Sequence, residues 1–91
     1  MNQAAKHIIF AGKVQGVGFR FTAFNAAQRH QLKGLVRNLI NGNVEMIVHG
    51  RDSDITDCIH DIQQTFGTHI SETRIEEIPF DPRCKDFKIT F

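Results

Sequence analysis

Two segments of the chain space their apolar residues as an α-helix does. Between Ser53 and Gly67, Ile55, Cys58, Ile59, Ile62 and Phe66 recur at three- and four-residue intervals and form one stripe. Ser53 is a candidate N-cap and Gly67 a candidate stop. A second helix is predicted over 20–32, RFTAFNAAQRHQL. There Phe24, Ala27 and Leu32 share a face, and Ala23, Ala26 and Ala27 are small enough for close packing. Gly34 is its predicted C-terminal stop.

The remaining apolar segments read as strands: HIIFAGKV (7–14), LVRNLI (35–40), VEMIVHG (44–50), ISETRIEEIPF (70–80) and DFKITF (86–91), the last alternating strictly. Asn41-Gly42 between the second and third predicts a hairpin with a type I′ turn, which needs positive φ at both central residues. The order is strand–helix–strand–strand–helix–strand, with a closing strand segment. Two amphipathic helices bury their stripes most economically on one face of an antiparallel sheet. The predicted fold class is therefore α+β, a ferredoxin-like βαββαβ sandwich. A chain of 91 residues with no linker, repeat or low-complexity segment predicts a single domain over 1–91.

Composition narrows the classes of function. Eleven Lys and Arg against ten Asp and Glu give a net charge of +1, with no basic tract, so no nucleic-acid partner is expected. His7, His30, His49, His60 and His69 are scattered without metal-ligand spacing, so neither metal nor cofactor is expected. Cys58 and Cys84 form no CxxC pair, which predicts free thiols in a reducing compartment. The N-terminus does not read as a signal peptide, and the apolar runs are too short to span a bilayer. A cytoplasmic monomer with no membrane partner is the expectation.

The chemistry is concentrated in GKVQGVGFRF, 12–21. A plain turn needs one glycine or two, whereas here Gly12, Gly16 and Gly18 surround Val17 and Arg20 follows. The turn joins a strand to the start of a helix, where backbone N–H groups lack intrahelical partners and the dipole is positive. Glycines let successive N–H groups point inward as an anion nest. Arg20 adds a fork of charged donors matched to phosphate oxygens. From the residues alone two readings stand side by side: a phosphate cradle, or a structural glycine turn beside an exposed arginine. The spacing does not match the nucleotide-binding GxxxxGK[ST] pattern or a full GxGxxG.

GKVQGVGFR, followed by GLVRNLINGNVE, resembles the acylphosphatase family over nearly the whole chain, including the NG hairpin and the closing DFKITF. By position, the resemblance implies a phosphate-binding loop at Gln15, Gly16, Val17, Gly18 and Phe19, a phosphate-binding Arg20 and a catalytic Asn38. It also implies metal-free hydrolysis of small acyl phosphates to carboxylate and inorganic phosphate. Inorganic phosphate or sulfate would then compete as anions. Leu35 stands where many relatives carry an aromatic residue, and NG replaces the common DG in the hairpin.

Other residues carry less. Arg37 is expected on the opposite strand face from Asn38. Cys58 is expected in the core, and Cys84 in a loop. Phe19 and Phe21 are expected to anchor the loop by packing. An RNA-recognition module would need aromatics on its third strand, and VEMIVHG has none. A similar domain also fronts larger hydrogenase-maturation carbamoyltransferases. Those continue into cysteine-rich segments, so a free-standing hydrolase is expected here.

Overall fold

The computed structural model describes residues 3–90. Its elements are β1 (Gln3–Gly12), α1 (Phe19–Arg29), β2 (Lys33–Asn38), β3 (Val44–Arg51), α2 (Asp52–Phe66), β4 (Ile70–Ile78) and β5 (Phe87–Thr90), with a 3-10 turn at Gly67–His69 before β4. The strands form one sheet in the order β4-β1-β3-β2-β5. Neighbours are antiparallel except β2 and β5, which run parallel, so the closing segment makes the sheet mixed. The α+β sandwich expected from the element order is the observed fold. Phe91, in the predicted closing strand, lies outside the described residues.

Strand alternation decides which face is covered. Ile8 and Phe10 of β1, Val36 of β2 and Val44, Met46 and Val48 of β3 point to one side and are fully buried. They pack in one cluster with Phe19, Ala23, Ala26 and Ala27 of α1 and with Ile55, Cys58, Ile59 and Ile62 of α2. Both helices therefore lie on this face, and the predicted α2 stripe is the one that is buried. Burial pushes the Cys58 thiol up to about 12, so it stays protonated and acts as an apolar filler. Cys84 is partly exposed, and neither thiol is in a disulfide.

Local geometry revises several predicted boundaries. β1 begins at Gln3 rather than His7, because 3–6 already pair with β3. It ends at Gly12, leaving Val14 buried beyond the strand. Helix α1 stops at Arg29, well before Gly34. Gln31 takes the left-handed conformation (φ 58°), its N–H bonds to Gln28 and the Leu32 N–H reaches back to Ala27 at 2.9 Å. That pairing is a Schellman stop with Gln31 in the position glycine usually fills. Gly34 lies in β2, where a Cβ would fall on the carbonyl of Ile47 in β3. Ser53 sits inside the first turn of α2 and caps nothing. Arg51 is the N-cap, and Asp52 and Asp54 supply the negative charge that the helix start favours.

The hairpin is not the two-residue I′ turn. Leu39 N–H bonds to the Asn43 carbonyl and Gly42 N–H to the Leu39 carbonyl, enclosing a longer loop with positive φ at Gly42 but not at Asn41. The Asn41 side chain accepts from the Asn43 N–H at 3.0 Å instead.

The sheet face away from the helices carries ion pairs. Glu45 accepts from Arg37 and lies 2.7 Å from His7 Nε2. Burial alone would raise the Glu45 carboxyl, but the hydrogen bonds from His7 and Arg37 outweigh it and hold it below the ordinary value. Arg37 thus faces away from Asn38, as alternation required. Among the described residues, no helix is long and apolar enough to cross a membrane.

A group depressed on folding stabilises above its unfolded pKa and stops doing so as pH falls through its folded one. Stability should therefore decline as pH drops from about 5, and Glu45→Gln should flatten part of that decline. Chemical denaturation of both proteins between neutral pH and pH 3 tests this. Parallel acid slopes would show that the Glu45 pairs contribute nothing.

Candidate active site

The loop at 13–18 begins where β1 must leave the sheet. Gly12 has φ 120°, and a Cβ there would strike the His69 carbonyl and approach the Ser71 nitrogen at 2.7 Å. Lys13 N–H donates to that His69 carbonyl at 2.8 Å. Close contact with the backbone at His69 and Ser71 thus accounts for the first glycine. Val14, fully buried, anchors the loop to the core.

Gly16 and Gly18 differ from Gly12. Their φ angles are 79° and 76°, and a Cβ at either would meet open space. Backbone conformation, not crowding, calls for glycine there. Gly18 is the N-cap of α1, with no side-chain cap, and the Thr22 N–H closes the first helical turn on the Gly18 carbonyl at 3.1 Å. The preceding N–H groups of the first turn have no intrahelical acceptor. No acidic side chain in that turn offsets the dipole.

Arg20 is the second residue of α1, and its side chain is half-buried. Its Nη1 donates to the Thr90 carbonyl of β5 at 3.2 Å, which helps to orient the guanidinium. Asn38 ends β2 on the same face as Val36, the face that α1 covers. The loop, Arg20 and Asn38 converge on an open depression of about 280 Å³. Its lining combines the polar Arg20 and Asn38 and the backbone of Gly16 and Gly18 with the apolar Val14, Phe19, Phe21 and Ile89.

The other predicted residues fall in different places. The Gln15 side chain turns away to the hairpin, where Nε2 donates to the carbonyls of Leu39 (2.7 Å) and Asn43 (2.9 Å). Phe19 is in the core, 5.0 Å from the Phe10 ring and 4.5 Å from the Phe66 ring. Gln15 and Phe19 can therefore offer an anion only their backbone N–H groups. Val17 is exposed at the crest of the loop.

Phe21 does not anchor the loop. It is 64% exposed and forms one wall of the depression. Two residues along a helix is about 200° of rotation, so burying Phe19 sends Phe21 outward. Ile89, also on the wall, carried no functional signal in the sequence; its pairing with Val36 brings it there.

A second polar cluster lies near the other end of α1. Ligand-type atoms of His30, Asp54 and Asp57 are within 4.8 Å of one another, and His30 Nε2 is 2.7 Å from Asp61. That hydrogen bond is the main cause holding the Asp61 carboxyl low. α1 spans 11 residues, about 16 Å of helix, so this cluster is remote from the glycine loop. Spacing along the sequence gave no sign of it, because the residues meet across two helices.

A mixed sheet covered on one face by two helices, in this order of elements, defines a ferredoxin-like α+β domain. The chain belongs to the acylphosphatase family, whose model matches residues 6–89. It is 33% identical to an acylphosphatase of Chlorobaculum tepidum over 98% of each chain. It is 38% identical to one of Geobacillus kaustophilus over 93% of this chain and 92% of the other. Among solved structures, the acylphosphatase of Coxiella burnetii aligns with a TM-score of 0.88 at 31% identity, covering 98% of this chain and 94% of that one. A full-length HypF structure aligns at 0.86 and 34% identity, covering 99% of this chain but 12% of HypF.

The two kinds of glycine predict different mutant stabilities. Gly18→Ala should cost about 1–2 kcal/mol, the strain of a left-handed non-glycine residue. Gly12→Ala must also displace the backbone at His69 and Ser71 and should melt lower. Thermal unfolding of the two variants decides. A Gly12→Ala protein as stable as Gly18→Ala would remove the packing explanation.

Proposed function

We propose that the glycine loop, Arg20 and Asn38 carry out the acylphosphatase activity of this chain, the hydrolysis of the carboxyl–phosphate bond of small acyl phosphates. The observation that carries this reading is their convergence on one depression from two segments distant in sequence, the loop–α1 junction and the end of β2. The N–H groups of 15–20, including those of Gln15, Gly16, Val17, Gly18 and Phe19, form the cradle for the phosphoryl oxygens. The Arg20 guanidinium neutralises their charge. The acyl group lies along the Phe21 and Ile89 side.

The chemistry asks little more of the protein. The leaving group is a carboxylate whose conjugate acid has a pKa of about 4, so it departs without a strong general acid. Phosphoryl transfer passes largely through a loose transition state, and catalysis is mostly positioning and charge stabilisation. Water adds to phosphorus opposite the acyl oxygen as that P–O bond breaks. The carboxylate leaves with the bonding pair, and a phosphoryl oxygen takes the proton from the water. The Asn38 amide orients that water. Positive charge comes from Arg20 and amide dipoles, so no metal is needed. We further place the chain in the cytoplasm, a reading supported by its two free cysteines, and take it to act as a monomer.

The roles of the two residues separate experimentally. Arg20→Ala should weaken inorganic phosphate binding and abolish nearly all turnover, and Arg20→Lys should rescue little, since an ammonium lacks the planar fork. Asn38→Ala should keep phosphate affinity and fold while lowering kcat at least ~10²-fold. A raised KM with unchanged kcat would make Asn38 a substrate-binding residue instead.

Exhaustive chelation should leave hydrolysis of a model acyl phosphate unchanged. Loss of activity with EDTA, restored by a divalent ion, would contradict the metal-free mechanism.

A further inference from the structure

The Gln15 amide crosses from the glycine loop to the hairpin that follows Asn38. Its Nε2 donates to two carbonyls, Leu39 at 2.7 Å and Asn43 at 2.9 Å, residues 24 and 28 positions away. Only the amide nitrogen can donate, so two carbonyl acceptors fix which way the side chain points. These carbonyls form the neck of the hairpin. Leu39 N–H already bonds to the Asn43 carbonyl, and Gly42 N–H to the Leu39 carbonyl. Each carbonyl thus accepts twice, and one side chain ties the neck to the loop.

The position of this tie gives it a function. Gln15 immediately precedes Gly16 of the loop, and Leu39 immediately follows Asn38. β1 and β2 are not neighbours in the sheet; β3 lies between them. The ladder therefore does not join the loop directly to the end of β2, whereas the Gln15 amide does. We infer that Gln15 is a positioning residue that sets the distance from the phosphate cradle to the Asn38 amide. This rests on the reading of Asn38 as the residue that orients water. A loosened tie would leave both halves of the site intact but let Asn38 drift from the line of attack. A displacement of about 1 Å can cost up to ~10²-fold in rate.

The test is a double-mutant cycle of Gln15→Ala and Asn38→Ala, with kcat and inorganic phosphate Kd measured for each folded protein. Gln15→Ala should lower kcat about 10-fold or more, with phosphate Kd within about threefold of the wild type. In the Asn38→Ala background the same substitution should lower kcat less than about threefold, because Asn38 is the group it positions. Gln15→Glu keeps the length but cannot donate when ionised, and it should be at least as impaired as Gln15→Ala. If Asn38→Ala itself left kcat unchanged, the underlying reading of Asn38 would fail. If Asn38→Ala lowered kcat but Gln15→Ala cost the same in both backgrounds, only the positioning role would fail. Wild-type kcat in Gln15→Glu, or loss of the folded state in both Gln15 variants, would likewise overturn it.

Discussion

Gly18 starts α1 with its backbone at φ 76° and ψ 19°, a conformation that costs an L-residue about 1–2 kcal/mol. The proposed chemistry depends on that turn. It redirects the chain from the end of β1 into a helix whose first N–H groups stay open. A Ser or Asp cap would fill one of those donors with its own side chain. Glycine stops the loop and starts the helix without doing so, and the N-terminal end of the dipole remains available to an anion.

The rest of the fold holds that turn against the sheet. Val14 and Phe19 enter the core on either side of it, and Phe19 lies against Phe10 of β1 and Phe66 of α2. The parallel addition of β5 beside β2 brings the Thr90 carbonyl to the Arg20 guanidinium and Ile89 to the wall of the depression. Stability and site geometry therefore share residues: Val14 and Phe19 belong to the core cluster and also line the depression. The ion pairs of Glu45 lie on the opposite sheet face and can vary without touching the depression.

Much of this was legible in the sequence because its causes are local. The α2 stripe follows from spacing, and it is buried as spacing required. Asn38 and Arg37 fall on opposite faces because strand side chains alternate. What stayed hidden depends on contacts between distant segments. Gly12 reads like Gly16 and Gly18 in the sequence, yet it answers to the His69 carbonyl. Gly34 looked like a helix stop, but Gln31 performs the stop and Gly34 makes room for Ile47. The motif gives Gln15 a place in the phosphate loop, and nothing local reveals that its side chain reaches the hairpin. Phe21 reads like Phe19 in the sequence, yet helix rotation sends one outward and the other into the core.

The proposed chemistry stands on the backbone of 15–20 forming an anion cradle. Titrating isotope-labelled protein with inorganic phosphate, and following backbone amide resonances, tests it most directly. The amides of Gln15 through Arg20 should shift first and saturably, with sulfate acting through the same amides. If phosphate bound but moved only resonances elsewhere, the glycine turn would be a structural feature alone, and the catalytic reading of Arg20 and Asn38 would lose its foundation.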